Sequence, residues 1–154
     1  ATIDDKIFCV HGGLSPDLKS LSQLEEINRF CEPPDTGVFS DILWSDPDEV
    51  TGYTTSQRGA GFVFGGDVTK TFLDENNLAF MLRAHQLVNE GYREMFDGRL
   101  YTVWSAPNYL YREGNIASVL EITSVDKKRF KIFTDAPSSA RGALKEPNLP
   151  MYFL

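Results

Sequence analysis

Two apolar runs in this chain end in the same way. Ile7-Phe8-Cys9-Val10 stops abruptly at His11-Gly12-Gly13, and Leu78 to Arg83 stops one residue short of His85. Short apolar runs bounded by turn residues predict buried strands, so each strand delivers a histidine to the point where a polar turn begins. These are the only two histidines in the chain. Neutral imidazole is the commonest metal ligand, and a strand end holds a ligand more rigidly than a free loop does, so the pair invites a metal reading. A histidine at a strand end also commonly serves as a hydrogen-bonding structural residue. Two of them 74 positions apart leave both readings open.

The stretches between supply the rest of the pattern. Ser22 and Glu25 fit a capping box, and Leu21, Leu24, Ile27 and Phe30 follow at helical spacing, which predicts a short amphipathic helix. Glu32 to Arg58 is rich in Pro, Asp, Gly, Ser and Thr, with Ile42-Leu43-Trp44 as its one apolar knot. It reads as a long ordered loop, and loops of that length in compact domains are usually functional. A second helix is expected over about Val68 to Glu75, opened by Asp67 and closed by Asn76-Asn77. Tyr92 to Phe96 and Leu100 to Trp104 flank Asp97-Gly98, a strong hairpin signal. Ile116 to Ile122 and Arg129 to Phe133 form a further strand pair around Ser124 to Lys128, so the back half reads as mostly antiparallel sheet. Residues 1–134 are expected to form the folded part, and 135–154, dominated by Pro, Ser, Gly and charge, a flexible tail.

Composition removes several functions. At 42% hydrophobic and 24% charged, the 154 residues have the profile of a globular domain. No apolar run approaches the roughly 20 residues of a membrane-spanning helix, so no membrane partner is expected. A net charge of −7 without any Lys/Arg cluster argues against nucleic acid. With two cysteines and no secretory leader pattern, a reducing compartment is expected, cytoplasm or nucleus. Ala1 stands directly before a strand, and the chain reads as a piece of something longer.

Other residues could carry chemistry. Arg58, in Ser56-Gln57-Arg58-Gly59-Ala60-Gly61, lies in a glycine-bounded turn where its fork of donors could grip a phosphate; a solvated loop arginine is the plainer alternative. Tyr109, in Ser105-Ala106-Pro107-Asn108-Tyr109, follows a buried strand and could point its hydroxyl into a cleft or serve as a core aromatic. Gly65 to Thr71 superficially suggests a phosphate loop. It lacks the glycine before its lysine and follows no strong strand, so a nucleotide site is not expected.

Read together, His11-Gly12-Gly13-Leu14-Ser15-Pro16, Leu43-Trp44-Ser45-Asp46-Pro47, Arg58-Gly59-Ala60-Gly61, Phe64-Gly65, Arg83-Ala84-His85-Gln86, Glu90-Gly91-Tyr92 and Ser105-Ala106-Pro107-Asn108-Tyr109 stand in an order and spacing that resembles the phosphoprotein phosphatase (PPP) family. The resemblance runs from about Ile7 to Ile122. The final Tyr152-Phe153-Leu154 is similar to the type 2A, 4 and 6 branch, with Val103 to Tyr109 and Gly114 to Ser118 closest to type 6. It implies an α/β fold, the calcineurin-like metallophosphoesterase sandwich of two mixed sheets flanked by helices, of which this chain would supply the C-terminal half. It implies two divalent metal ions, Mn2+ or Fe/Zn, with His11 and His85 as ligands of the second, Arg58 on the substrate phosphate, and Tyr109 lining the cleft. Phosphoserine and phosphothreonine proteins would be the substrates, and regulatory or scaffold subunits the partners. Leu154 would be the site for a leucine carboxyl methyltransferase.

The departures carry expectations too. The family's Gly-Asp-x-His-Gly, Gly-Asp-x-x-Asp-Arg-Gly and Gly-Asn-His-Glu motifs are not in this sequence, and with them go the bridging aspartate, a second phosphate arginine and the proton-donating histidine. The chain alone is therefore expected neither to hold two metals tightly nor to turn over substrate. Leu110 and Glu113 stand where relatives commonly carry cysteine, so no thiol in this loop can capture a peptide toxin, and Leu149 before Pro150 makes methylation of Leu154 less certain. A second reading is a non-catalytic fragment that occupies regulatory partners.

Overall fold

The computed structural model describes residues 1–140. Its centre is a five-stranded mixed sheet built from β1 (Thr2–Ile3), β2 (Ile7–Cys9), β6 (Phe80–Arg83), β7 (Tyr92–Met95) and β8 (Leu100–Val103), in the order β1-β2-β6-β8-β7. The three inner strands are parallel, with Cys9 opposite Leu82 and Leu82 opposite Tyr101. Parallel strands buried on both faces need near-continuous apolar sequence, which is what the two runs supply. The same register explains the histidines. Val10 N–H donates to the Leu82 carbonyl and Ala84 N–H to that of His11, so both chains leave the sheet side by side at one rim.

Alternation along these strands sorts residues between two cores. Phe8, Met81 and Leu100 face Phe72 and Leu73 of α2 (Gly66–Glu75), together with Leu14, Phe64 and Leu78. Ile7, Phe80 and Tyr101 face the opposite way, where Ile122, Val125 and Phe130 cover them. Those covering residues belong to the hairpin of β9 (Ala117–Ser124) and β10 (Lys127–Phe133). Phe130 stacks on Tyr92 at 3.9 Å between ring centroids, and Lys128 sits 4.7 Å above the Phe80 ring.

Several expectations are corrected. The helix over Leu21 to Phe30 is a single 3-10 turn, Leu21–Leu24. Gln23 Oε1 accepts from the Ser20 and Lys19 amides, placing the box at Ser20 and Gln23 instead of Ser22 and Glu25. Beyond it, local bonds replace helical ones: Asn28 Oδ1 accepts from Phe30 N–H, and Arg29 folds back onto the Leu24 carbonyl. Phe30 is wholly exposed. The long loop is also more regular than expected, holding α1 (Val38–Trp44), β3 (Asp46–Pro47) and β4 (Tyr53–Thr55), which with β5 (Phe62–Phe64) make a three-stranded mixed sheet in the order β3-β5-β4. The buried face of α1 is polar, Ser40 and Asp41, so hydrophobic spacing does not announce it.

The second helix begins at Gly66, not Val68. Asp67 lies within its first turn and accepts the Gly52 amide on both carboxylate oxygens. A strand, β5, does precede Gly65, so the absence of a strand is not what sets that segment apart from a phosphate loop. In the back half β6 pairs with β8 in parallel, and the antiparallel pairs are β7 with β8 and β9 with β10. The last turn narrows to Val125-Asp126. Residues 141–154, including Leu154 and most of the expected tail, lie outside the described residues.

Asp41 is 3% exposed, and its carboxylate accepts the Ser15 hydroxyl at 2.6 Å, with no ion-pair partner among the described residues. Burial raises its pKa, opposed by that hydrogen bond and helped by Asp17. A raised folded-state pKa means that ionised Asp41 costs stability once the pH exceeds both its values, and the cost fades as pH falls through the folded value. Asp41→Asn keeps an acceptor for Ser15 and removes the charge. In urea unfolding it is expected to match or exceed the parent at pH 7, with the difference shrinking toward pH 4. Leu73→Ala, at a fully buried position, should lower stability by about 2–5 kcal/mol in the same measurement.

Candidate active site

The rim where β2 and β6 end is drawn together by one side chain. Arg83, the last residue of β6, is 2% exposed. Its Nε donates to the Gly12 carbonyl at 2.6 Å, one terminal nitrogen to Gln86 Oε1 at 2.9 Å, and the other to the Ser45 carbonyl at 3.1 Å and to Asp46 Oδ1 at 2.7 Å. Burial pulls its pKa down to about 10, against the pull of Asp46, so it stays cationic at neutral pH. The turn after β2, the end of α1 and the start of β3 are thereby fastened to one guanidinium. Glycine is required at the turn for space: a Cβ on Gly12 would lie 2.5 Å from the Leu43 carbonyl carbon, and one on Gly13 would lie 2.2 Å from the Phe64 ring.

Asp46 passes the constraint on. Its second oxygen accepts Arg58 Nε at 2.5 Å, so each oxygen engages one arginine and the Arg58 head is fixed from its Nε side. Among the described residues the terminal nitrogens of Arg58 have no protein acceptor, and the side chain is about one-third exposed. A guanidinium held this way keeps its outer edge free for an oxyanion.

His11 Nε2 and His85 Nδ1 approach to 3.1 Å. His85 adopts a left-handed backbone, φ 58°, which turns its ring back toward the rim. Burial, then the positive charge of Arg58, lowers its pKa to about 4, with Asp46 opposing; loss of hydration, then Arg83 and Arg58, lowers that of His11. Both imidazoles are therefore neutral at pH 7, the state in which a ring nitrogen can donate a lone pair. Two nitrogens each about 2.1 Å from one ion stand about 3.0–3.4 Å apart at ordinary coordination angles. The observed spacing lies within that range. Among the described residues no group of three or more His, Cys, Asp or Glu side chains could hold an ion, so the pair fits part of a metal centre.

His11, Trp44, Arg58, His85, Trp104 and Tyr109 line one open cleft of about 840 Å³. Tyr109 packs edge-on against Trp104 at 5.0 Å, and its amide is held by Asn115 Oδ1 at 2.7 Å. The loop around it takes left-handed conformations at Asn108, Leu110 and Tyr111, pinned by Asn115. The structure thus brings together all four expected site residues among those it describes, while Leu154 lies outside them. Trp44, Asp46 and Arg83 had no assigned role in the sequence reading. An acidic residue within a strand offers no local signal that it will bridge two arginines 12 and 37 positions away.

The family described as calcineurin-like phosphoesterase matches residues 1–89, and the chain belongs to that family. Membership implies divalent metal ions. The chain is 50% identical over 154 residues to the serine/threonine-protein phosphatase 6 catalytic subunit of Drosophila melanogaster, an alignment that covers all of this chain and 50% of that relative. A solved protein serine/threonine phosphatase from Saccharomyces cerevisiae, with similarity to human phosphatase PP5, superposes with a TM-score of 0.77 at 33% identity, covering 87% of this chain and 46% of that one. The chain spans about half the length of these relatives.

Removing Asp46 would leave Arg83 a buried cation with only carbonyl and amide partners. Asp46→Ala is expected to destabilise the fold by about 3–5 kcal/mol, whereas Asp46→Asn, which keeps one acceptor, should cost less. Chemical denaturation monitored by far-UV circular dichroism distinguishes the two.

Proposed function

We propose that this chain forms the part of a serine/threonine-specific protein phosphatase catalytic subunit, of the type 6 kind, that holds one divalent ion through His11 and His85 and the substrate phosphate through Arg58. The observation that carries the reading is the convergence of two neutral imidazoles, 3.1 Å apart, and an arginine with a free outer edge on one cleft. The relatives named above support the substrate class, phosphoserine and phosphothreonine in proteins.

Divalent ions held there, Mn2+ or an Fe/Zn pair, would supply Lewis acidity toward the phosphoryl oxygens and lower the pKa of a water. The chain's own residues do the rest. His11 and His85 offer lone pairs from a rigid strand rim. Arg58 places its outer N–H groups against the phosphoryl oxygens and balances charge that grows in the transition state. Asp46 keeps that guanidinium from swinging away, and Tyr109 with Trp104 closes one side of the cleft. Regulatory or scaffold subunits and a leucine carboxyl methyltransferase acting on Leu154 are the proposed partners, and the cytoplasm or nucleus the proposed location.

Two measurements test this. The isolated chain with Mn2+ and a phosphoserine peptide is expected to show no turnover, because two imidazoles are an incomplete ligand set; sustained turnover would sink that part of the reading. In the protein purified from its source, Arg58→Ala should lower kcat/KM by roughly 10–100-fold, the loss of a charged hydrogen bond or two, without a matching fall in melting temperature. Unchanged phosphopeptide hydrolysis in that variant would remove Arg58 from the site.

A further inference from the structure

One polar atom of the cleft is left over. His85 Nε2 is buried with no hydrogen-bond partner among the described residues, while Nδ1 of the same ring faces His11. A neutral imidazole carries one N–H, and the proton must sit on one of these two nitrogens. With the proton on Nδ1, Nε2 would present a buried lone pair to surroundings that hold no donor for it. With the proton on Nε2, the buried N–H would need an acceptor. The Trp44 indole packs against this ring, at 5.5 Å between centroids and 84° between planes. In this edge-to-face arrangement an N–H can address the negative face of a π system.

We propose that Trp44 is a positioning residue for His85: its indole face accepts the Nε2–H and so holds the imidazole in the tautomer whose Nδ1 lone pair points at His11. The two rings then divide the labour unequally. His85 is preset, with its donor atom aimed at the rim whether or not an ion is there. His11, exposed to solvent, donates its Nε2–H to His85 in the ion-free chain and can move that proton to Nδ1 when an ion takes its place. A ligand fixed by its surroundings and a ligand free to switch would together bind without disturbing the packed side of the cleft.

The test is a long-range 1H–15N correlation spectrum of the metal-free chain labelled at histidine nitrogen. The expected result is His85 protonated at Nε2, with that proton shifted upfield by the indole ring current. Protonation at Nδ1, or an unshifted Nε2 proton, would overturn the proposal from the unmutated chain alone, so a variant that fails to fold does not shelter it. Trp44→Phe retains a ring face and should keep the tautomer, whereas Trp44→Leu should give a mixture; a pure Nε2–H tautomer in a folded Trp44→Leu chain would overturn the role of Trp44. A Co2+ titration followed by absorption is expected to show about tenfold weaker binding for Trp44→Leu, in line with other residues that orient a metal ligand. This last readout rests on the proposed metal role of the histidines. If the spectra behave as expected but Co2+ in large excess perturbs neither histidine ring, the tautomer assignment stands and the metal role fails.

Discussion

The buried guanidinium of Arg83 is the contact on which the site depends. It sits at the end of a central strand and reaches the Gly12 carbonyl 71 positions back and Asp46 37 positions back, tying the segment that carries Asp46 to the rim where β2 and β6 already pair. A charge in this position is costly to bury, and it persists because all three of its nitrogens donate to protein oxygens, one of them a carboxylate. What it gains for the fold is geometric. The turn carrying His11, the strand carrying Asp46 and the turn carrying His85 are set relative to one fixed point, so the histidine spacing and the Arg58 orientation are coupled.

Local sequence revealed the strands that bring the histidines to the rim, because fully buried parallel strands must be almost wholly apolar and Ile7 to Val10 and Leu78 to Arg83 are conspicuous against their surroundings. It also revealed the Asp97-Gly98 turn and most of α2. It did not reveal α1, whose inward face is Ser40 and Asp41, since periodicity arguments look for apolar residues and this helix buries polar ones that find partners only in the folded chain. The overextended helix after Leu21 has the converse cause. Ile27 and Phe30 stand at helical spacing, but Phe30 is wholly exposed, and side-chain bonds from Asn28 and Arg29 satisfy the backbone in a turn instead.

The site divides along similar lines. His11, His85, Arg58 and Tyr109 were legible because each stands beside a turn and belongs to a motif that resembles a known family. Asp46, Trp44 and Arg83 stand in the same motifs, yet their work is to hold other side chains in place. Such roles depend on distances between remote segments. Only a folded chain shows that both oxygens of Asp46 accept from arginines, or that the His85 and Trp44 rings stand at a steep angle to each other.

The parallel pairing of β2 with β6 also bears on how the site comes into being. Seven decades of residue numbers separate the two strands, with Ile7 opposite Phe80, and no local hairpin can align them. Closing so long an intervening segment is slow relative to helix or hairpin formation. The histidines can meet only after β6 has found β2. On a ribosome, β2 has β1 as its one local partner, and its other edge would have to wait for β6 to emerge. The residues that make the cleft rigid once formed are thus ones whose central pairing the nascent chain cannot make early.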